Sequence, residues 1–379
     1  MIYYLPFFLI LFLSSLSETW GIKHKHREWL LVFVTMFSII FTGLRFHTGS
    51  DWNNYMTHFM QTASMGNTFG FESGYYFFSK FLFLNTENYY LLQLLASCFI
   101  LISAMCFFRK HSKYPIFVFT LFILVSFDVL MAQMRQAIAI GFILISAQYI
   151  FERKFLLFLL MIFLACQFHI SAIIALPLYF FNKNYGKIIP IVLIIVSQIF
   201  AQYPDFTVSL IRVLSPYMPG RFSVISERYL SGAASYIQQQ KIQTGVFYIS
   251  RILLTIFIII VVTPKNNKET FFINALAAAT CIKCFAANMG ILERFVCYYL
   301  IFGIMAYALL LPFQIKWFRL KPIVIAFLII SFFAFPFWRV ITSNEISELT
   351  GRPNSYRYIP YYNVLYHSDE ASQRKDWNE

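Results

Sequence analysis

The chain has 379 residues, of which 59% are hydrophobic and 20% aromatic, and only 12% are charged. A soluble protein of this length needs far more polar surface, so the composition excludes an ordinary soluble enzyme and points to a polytopic membrane protein. The formal net charge of +13 does not mark a nucleic-acid binder, because most cations sit in short connections between apolar runs, as in the cytoplasmic loops of membrane proteins.

Apolar runs of about 20 residues cross a bilayer as helices, and shorter ones mark re-entrant or broken helices. Twelve such runs are predicted, at 2–17, 29–46, 89–108, 115–131, 135–151, 155–168, 170–181, 188–203, 245–262, 270–289, 295–311 and 322–340. The first lacks a basic flank and is expected to be a retained span. The expectation is an all-α, polytopic membrane fold with about twelve transmembrane or re-entrant helices. It comprises one membrane domain over 1–340, long external loops at 47–88 and 204–244, and a polar external tail at 341–379, flexible at its end. A short aromatic stretch at 75–84 is too brief to span and suits the membrane interface. The region 155–181 reads either as one long helix or as two short ones broken near His169; the charge pattern favours the broken pair.

Orientation follows from the cations. Lys23, Lys25, Arg27, then Arg109, Lys110, Lys113, then Arg153, Lys154 fall in alternate connections. So do Lys183, Lys187, then Lys265, Lys268, then Lys316, Arg319, Lys321. The short loops on the other side hold only Arg135 and Arg294. The cation-rich side is expected to be cytoplasmic, with both termini outside. All six cysteines lie in apolar runs. Cys281 and Cys284 have CxxC spacing, but with no companion cluster they read as packing residues and not as a metal or redox site.

The chemistry-bearing residues fall on the cation-poor side. GLRFHTGSDWNNY at 43–55 leaves a hydrophobic run and brings Arg45, His47, Asp51, Trp52 and Tyr55 within barely a dozen positions. Such density is costly beside a membrane unless it binds something. A Thr-Gly-Ser turn lets Asp51 fold back toward Arg45, either as a structural ion pair or as a catalytic arrangement. Trp52 and Tyr55 read either as interface-belt aromatics or as a platform for a sugar ring. Further along come Glu72 in FESGYYFF, Arg135 and Gln136 opening a span, and His169 in FHISA. Arg228 lies in the second long loop, and Glu293 with Arg294 at a helix junction. Arginine matches phosphate oxygens in a bidentate fork, while near a span end it also commonly snorkels to the headgroups. A lone His in an apolar run more often bonds between helices than works as a base. Asp128 lies seven residues before Arg135 and meets it on one continuous helix face or across a turn.

No Asp-rich magnesium motif, no P-loop and no Gly-x-Ser-x-Gly elbow is present, so the expected chemistry uses no metal, no ATP and no cofactor. The blocks GLRFHTGSDWNNY, FESGYYFF, MRQAIAIG, FHISA and ERFVCYY occur in the order found in the EpsG family of polysaccharide polymerases, and the chain resembles that family from the second span to about Tyr299. The resemblance implies a bacterial inner-membrane glycosyltransferase with a helical fold of the GT-C type. It would join undecaprenyl-diphosphate-linked oligosaccharide repeat units on the periplasmic side, in O-antigen or exopolysaccharide biosynthesis. The lipid bilayer, lipid-linked oligosaccharides and a chain-length regulator are the partners it suggests; nucleic acid is not among them.

Such a reaction needs a base for the attacking hydroxyl and positive charge for the departing diphosphate. The expected roles are diphosphate binding by Arg45, Arg135 and Arg294, proton transfer by His169 or Asp51, and sugar orientation by Glu72. A flippase needs polar groups along a whole pathway and signs of inverted repeats, whereas these residues cluster on one side. An O-antigen ligase performs the same chemistry on another acceptor and stays open as an alternative.

Overall fold

The computed structural model describes residues 4–203, 209, 212–213, 246–286, 292–312, 321–342, 346, 353–359 and 361–365. Two compact units emerge, one of residues 1–176 with 307–379 and one of 177–306. Almost every described element is a helix. Among the described residues three helices, Tyr89–His111, Met134–Phe151 and Asn267–Ala286, are long and apolar enough to cross a membrane. Shorter apolar helices accompany them, among them Tyr4–Trp20, Pro115–Val125 and Ile188–Ala201. Most of the expected 204–244 loop, with Arg228, lies outside the described residues.

The first unit is built from α1 (Tyr4–Trp20), α2 (His24–Gly43), α5 (Tyr89–His111), α6 (Pro115–Val125), α7 (Phe127–Ala132), α8 (Met134–Phe151), α9 (Phe155–Cys166) and α14 (Pro322–Thr342). The ends are set locally. Asn88 caps α5 by accepting from the backbone N–H groups of Tyr90 (3.0 Å) and Leu91 (3.4 Å), the ordinary role of Asn at this position. Pro115 opens α6 where no N–H is needed. The Glu18 carboxylate reaches across from α1 to accept from Phe117 N at 2.9 Å, supplying the cap that α6 lacks in its own sequence. Lipid is as apolar as leucine, so helices within it pair by close packing and not by a hydrophobic drive. α8 packs on both α5 and α9, α2 on α5, and α1 on α6 and α14.

One departure from the predicted runs, and one break that the charge pattern favoured, shape the site. The run 115–131 is not one helix: the chain breaks at Ser126, and α7 is a separate short helix, so Asp128 and Arg135 lie on different elements. The run 155–181 also breaks. α9 ends at Cys166 and a 3-10 helix covers Ile170–Phe180, so His169 stands in the joint between them.

The stretch 47–88, expected as a loop, contains two helices, α3 (Trp52–Gln61) and α4 (Ser73–Thr86). They fold into an aromatic lobe whose buried core includes Trp52, Tyr55, Phe59, Tyr75 and Leu82, continuous with Tyr89 and Leu92 of α5 and Met134 and Ile138 of α8. Asn67 closes the link between the helices, with its amide donating to Phe71 O at 2.7 Å and its carbonyl accepting from Phe71 N at 2.8 Å. A two-residue joint, with Glu87 at φ +51°, then turns the chain into α5.

Part of the expected tail is ordered against this unit. After a 3-10 turn at Asn354–Arg357, strand β2 (Tyr362–Asn363) pairs antiparallel with β1 (Arg45–Phe46). Val364 N donates to Leu44 O at 2.8 Å, Tyr361 Oη to Phe41 O at 2.7 Å, and Tyr4 Oη to Tyr358 O at 2.7 Å. The Tyr361 ring stacks on Phe41 with centroids 4.5 Å apart, and Phe41 stacks in turn on Phe7.

In the second unit α10 (Ile188–Ala201), α11 (Val246–Val261), α12 (Asn267–Ala286) and most of α13 (Glu293–Ala308) form a bundle. Asn274 of α12 donates to the carbonyls of Phe181 (2.7 Å) and Lys183 (2.9 Å), and Thr255 of α11 meets Thr280 of α12 at 3.1 Å. These polar crossings suit helices that pair in lipid.

Candidate functional site

The first unit gathers most of the sequence-predicted residues where α8 begins. Arg135, in the first turn of α8, forms an ion pair with Glu72, Nη1 to Oε2, at 2.5 Å, and both side chains are less than one-fifth exposed. The guanidinium also lies over the Phe71 ring, 4.1 Å from its centroid, and hydrogen-bonds the Tyr55 side chain. Carboxylate, ring face and phenol thus hold one cation from three directions, which fixes the fork before any ligand arrives. Burial keeps the Tyr55 phenol above its ordinary pKa despite Arg135, so the hydroxyl remains neutral.

The same carboxylate reaches the His169 joint. Glu72 Oε1 accepts from Ile170 N at 3.2 Å, so one side chain ties α8 to the chain that follows α9. The approach is close because residue 74 is glycine: a Cβ there would sit 2.7 Å from Gln167 Cβ and 2.8 Å from Gln167 O. Tyr75 N donates to that carbonyl at 3.2 Å. His169 is mostly buried, and its Nδ1 accepts from Ser171 N at 3.3 Å and lies 2.9 Å from Ser171 Oγ. An Nδ1 that accepts a backbone N–H leaves the neutral ring's proton on Nε2. In this arrangement His169 offers Nε2 as a donor, which weakens its case as the proton acceptor.

Arg45 departs from the sequence reading. It does not pair with Asp51; its side chain is 2% exposed, Nη1 donates to Thr42 O, and its electrostatic neighbours are Tyr89, Tyr361, Tyr55 and Tyr4. Strand pairing draws the Arg45 backbone toward β2, and Gln93 of α5 pins it by donating to the carbonyls of Gly43 and Arg45, both at 2.8 Å. Asp51 instead heads α3, half-buried. The turn between them requires Gly49, at φ +105°, where a Cβ would fall 2.2 Å from Met131 O. Trp52 and Tyr55 are buried, 7% and 4% exposed, so neither is an open platform for a sugar. The exposed side of this turn is the half-buried His47, whose ring lies 4.8 Å from that of Trp52. Gln136 is fully buried at the start of α8.

Tyr55 neighbours both Arg45 and Arg135, so the two arginines flank one phenol. Asp128 does not join them: Tyr358 Oη donates to its Oδ1, and Gln133 Nε2 donates to its Oδ2 at 2.6 Å. Arg294 and Glu293 belong to the second unit, where Glu293 pairs with Lys283 and Arg294 is exposed. Among the described residues no group of three His, Cys, Asp or Glu side chains is arranged to hold a metal ion.

The lobe adds groups that sequence reasoning missed. His58 is fully buried, with its ring 4.5 Å from that of Phe71. Burial and the nearby Arg135 charge depress its pKa to about 4, so it is a neutral partner behind the arginine. Its position three residues after Tyr55, on the same helical face, was the available signal. Tyr89, buried beside Arg45, looked like any aromatic at the mouth of a span.

No curated protein matches the chain, and no solved structure does. The family comparison does: residues 28–363 match the EpsG family, a span that takes in the whole Arg45–Glu72–Arg135–His169 cluster and the β2 strand. Apolar spans, a cationic cluster at one end of the helices and that match together place this chain in the EpsG family of polysaccharide-polymerase-type membrane proteins.

Proposed function

We propose that the protein is a repeat-unit polymerase that joins undecaprenyl-diphosphate-linked oligosaccharides on the periplasmic face of the bacterial inner membrane, with about twelve spans and a GT-C-like architecture. The observation that carries this reading is the Arg135 guanidinium, held by Glu72, Tyr55 and Phe71 at the head of an apolar helix. A lipid diphosphate needs that combination of fixed cation and adjacent membrane.

In the reaction an acceptor hydroxyl oxygen forms a bond to the anomeric carbon. The bond from that carbon to the diphosphate oxygen breaks, and the hydroxyl proton passes to a base. Arg135, with Arg45 behind Tyr55, offsets the charge that grows on the leaving diphosphate. Asp51, half-buried at the head of α3, takes the proton. His169 donates from Nε2 to a phosphoryl or sugar oxygen, the role left to it by its Nδ1 contact. Glu72 orients Arg135 and the His169 joint together. His47 and Gln136, in the same unit, are the further candidate substrate contacts.

The test is a surface-polysaccharide gel from strains in which Arg135→Ala or Asp51→Ala replaces the native gene, with membrane content checked by immunoblot. Both variants are expected to reach the membrane and to yield only single-repeat glycan. Long chains of normal length distribution in both would sink the assignment.

A further inference from the structure

Arg45 is a buried cation with no carboxylate paired to it among the described residues. Its Nη1 reaches only the Thr42 carbonyl, its Nε has no hydrogen-bond acceptor, and the groups around it are phenols rather than carboxylates. Two neighbours share this condition. The hydroxyl of Tyr89, 2% exposed, has no hydrogen-bond partner among the described residues. The indole N–H of Trp52 is likewise buried and unpaired, and the Trp52 and Tyr89 rings meet edge to face with centroids 5.6 Å apart.

Guanidinium and indole N–H groups only donate, and a phenol donates readily. Buried donors are nearly always satisfied in native proteins, so buried donors that find no partner call for an explanation. The complementary group is an anion with several acceptor oxygens and no proton to give, which describes a phosphoryl group. Among the described residues, one element from the far end of the chain lies against Arg45. The strap formed by Tyr358, Ile359 and residues 361–365 lays β2 along β1 at Arg45, stacks Tyr361 on Phe41 and is latched by the Tyr358–Asp128 hydrogen bond. It is short, it is held by a handful of hydrogen bonds, and its outer residue Leu365 is exposed.

We propose that Arg45, Trp52 and Tyr89 form an inner phosphoryl site and that this strap is the lid which lifts to admit a phosphoryl group. The inference rests on the lipid-diphosphate reading above and extends it. Arg135 is the outer contact, already neutralised by Glu72, and Arg45 is the inner one, which has no acid to displace. Tyr55, flanked by both arginines, lies where the two phosphoryl groups of one diphosphate meet. Trp52 thereby changes role, from a sugar platform to a donor.

The experiment measures binding to the full chain in lipid nanodiscs, with undecaprenyl diphosphate and inorganic diphosphate as separate probes and phosphate-free buffer throughout. Tyr89→Phe removes one orphan hydroxyl and keeps the ring. Losing a hydrogen bond to a charged group weakens binding by roughly tenfold, and deleting an unpaired buried donor leaves thermal stability equal or higher. Lower affinity together with an unchanged or raised Tm supports the inner site. Tyr358→Phe loosens the latch and is expected to speed both association and dissociation of the same probe. Wild-type affinity in Tyr89→Phe overturns the site, and unaltered rates in Tyr358→Phe overturn the lid. Binding of inorganic but not lipid-linked diphosphate would keep the inner site while removing the lipid-diphosphate reading. Loss of binding in Arg135→Ala with no effect of Tyr89→Phe would do the reverse.

Discussion

Glu72 and Arg135, 63 positions apart in sequence, meet as an ion pair at 2.5 Å, and the same Glu72 carboxylate takes the backbone N–H of Ile170. One side chain therefore sets the position of a cation and of the segment carrying His169. Glu72→Gln keeps an acceptor for Ile170 N but removes the charge facing Arg135. Removing one member of a largely buried pair strands the other. With both side chains nearly one-fifth exposed, the stability loss is expected at about 2 kcal/mol, below the roughly 3–5 kcal/mol of fully buried pairs. Chain length on the polysaccharide gel should fall further in Glu72→Ala than in Glu72→Gln. Equal lengths in the two variants would show that the contact to Ile170 is irrelevant.

His58 supplies a pH dependence with a definite sign. Its folded pKa of about 4 lies below the ordinary histidine value of 6.5, so the unfolded state binds the proton first. Stability is therefore fully present above pH 6.5 and is lost as pH falls toward 4. At 1.36 kcal/mol per unit the loss amounts to about 3 kcal/mol. Hydrogen exchange at the α3 and α4 amides should accelerate between pH 7 and pH 4.5, corrected for intrinsic rates. His58→Phe should flatten that dependence; a slope of the native size in the variant would place the titrating group elsewhere.

Gly74 has no room for a methyl group, because the obstacle includes the Gln167 carbonyl and not only a side chain. Gly74→Ala is expected to cost about 1–3 kcal/mol by overpacking and to pull Glu72 away from Ile170. Ser73→Ala, at an exposed neighbouring position, should stay within about 0.5 kcal/mol of wild type. Thermal shift in detergent micelles reads both, and comparable values for the two would refute the close-approach argument.

Tyr358 and Asp128 form one hydrogen bond across 230 positions. Tyr358→Phe and Asp128→Asn should each increase cleavage of the strap by an added protease. The double variant should add little, with a coupling of about 0.5–3 kcal/mol as for groups in direct contact. Strict additivity would mean that the latch does not hold the strap.

Composition and apolar runs made the helical membrane architecture legible, because a span of lipid-facing residues leaves no other reading. The break before His169 was legible too, through loop charge. The break at Ser126 was not, since 115–131 is apolar apart from Thr120, Ser126 and Asp128 and isolated polar residues do not mark a helix interruption. The lobe was hidden for a different reason. α3 and α4 owe their stability to aromatic packing against α5 and α8, a tertiary effect absent from any local window. Arg135 and Glu72 were each visible as isolated polar residues in apolar surroundings, but their pairing depends on α4 docking at Gln167. Arg45 was placed with Asp51 by adjacency along the chain. It turned instead toward the tyrosines, because β2 closes over it from the far end of the sequence.

That closure imposes an order of assembly. Tyr361 follows Phe41 by 320 positions, so during synthesis Arg45 stands without the strand that pairs with it while most of the chain is still being made and inserted. The packing around Arg45 is therefore completed late, after the helices beside it are in place. A fusion partner or epitope tag attached just beyond the strap would act on that final step, leaving insertion intact while altering what the arginine can reach.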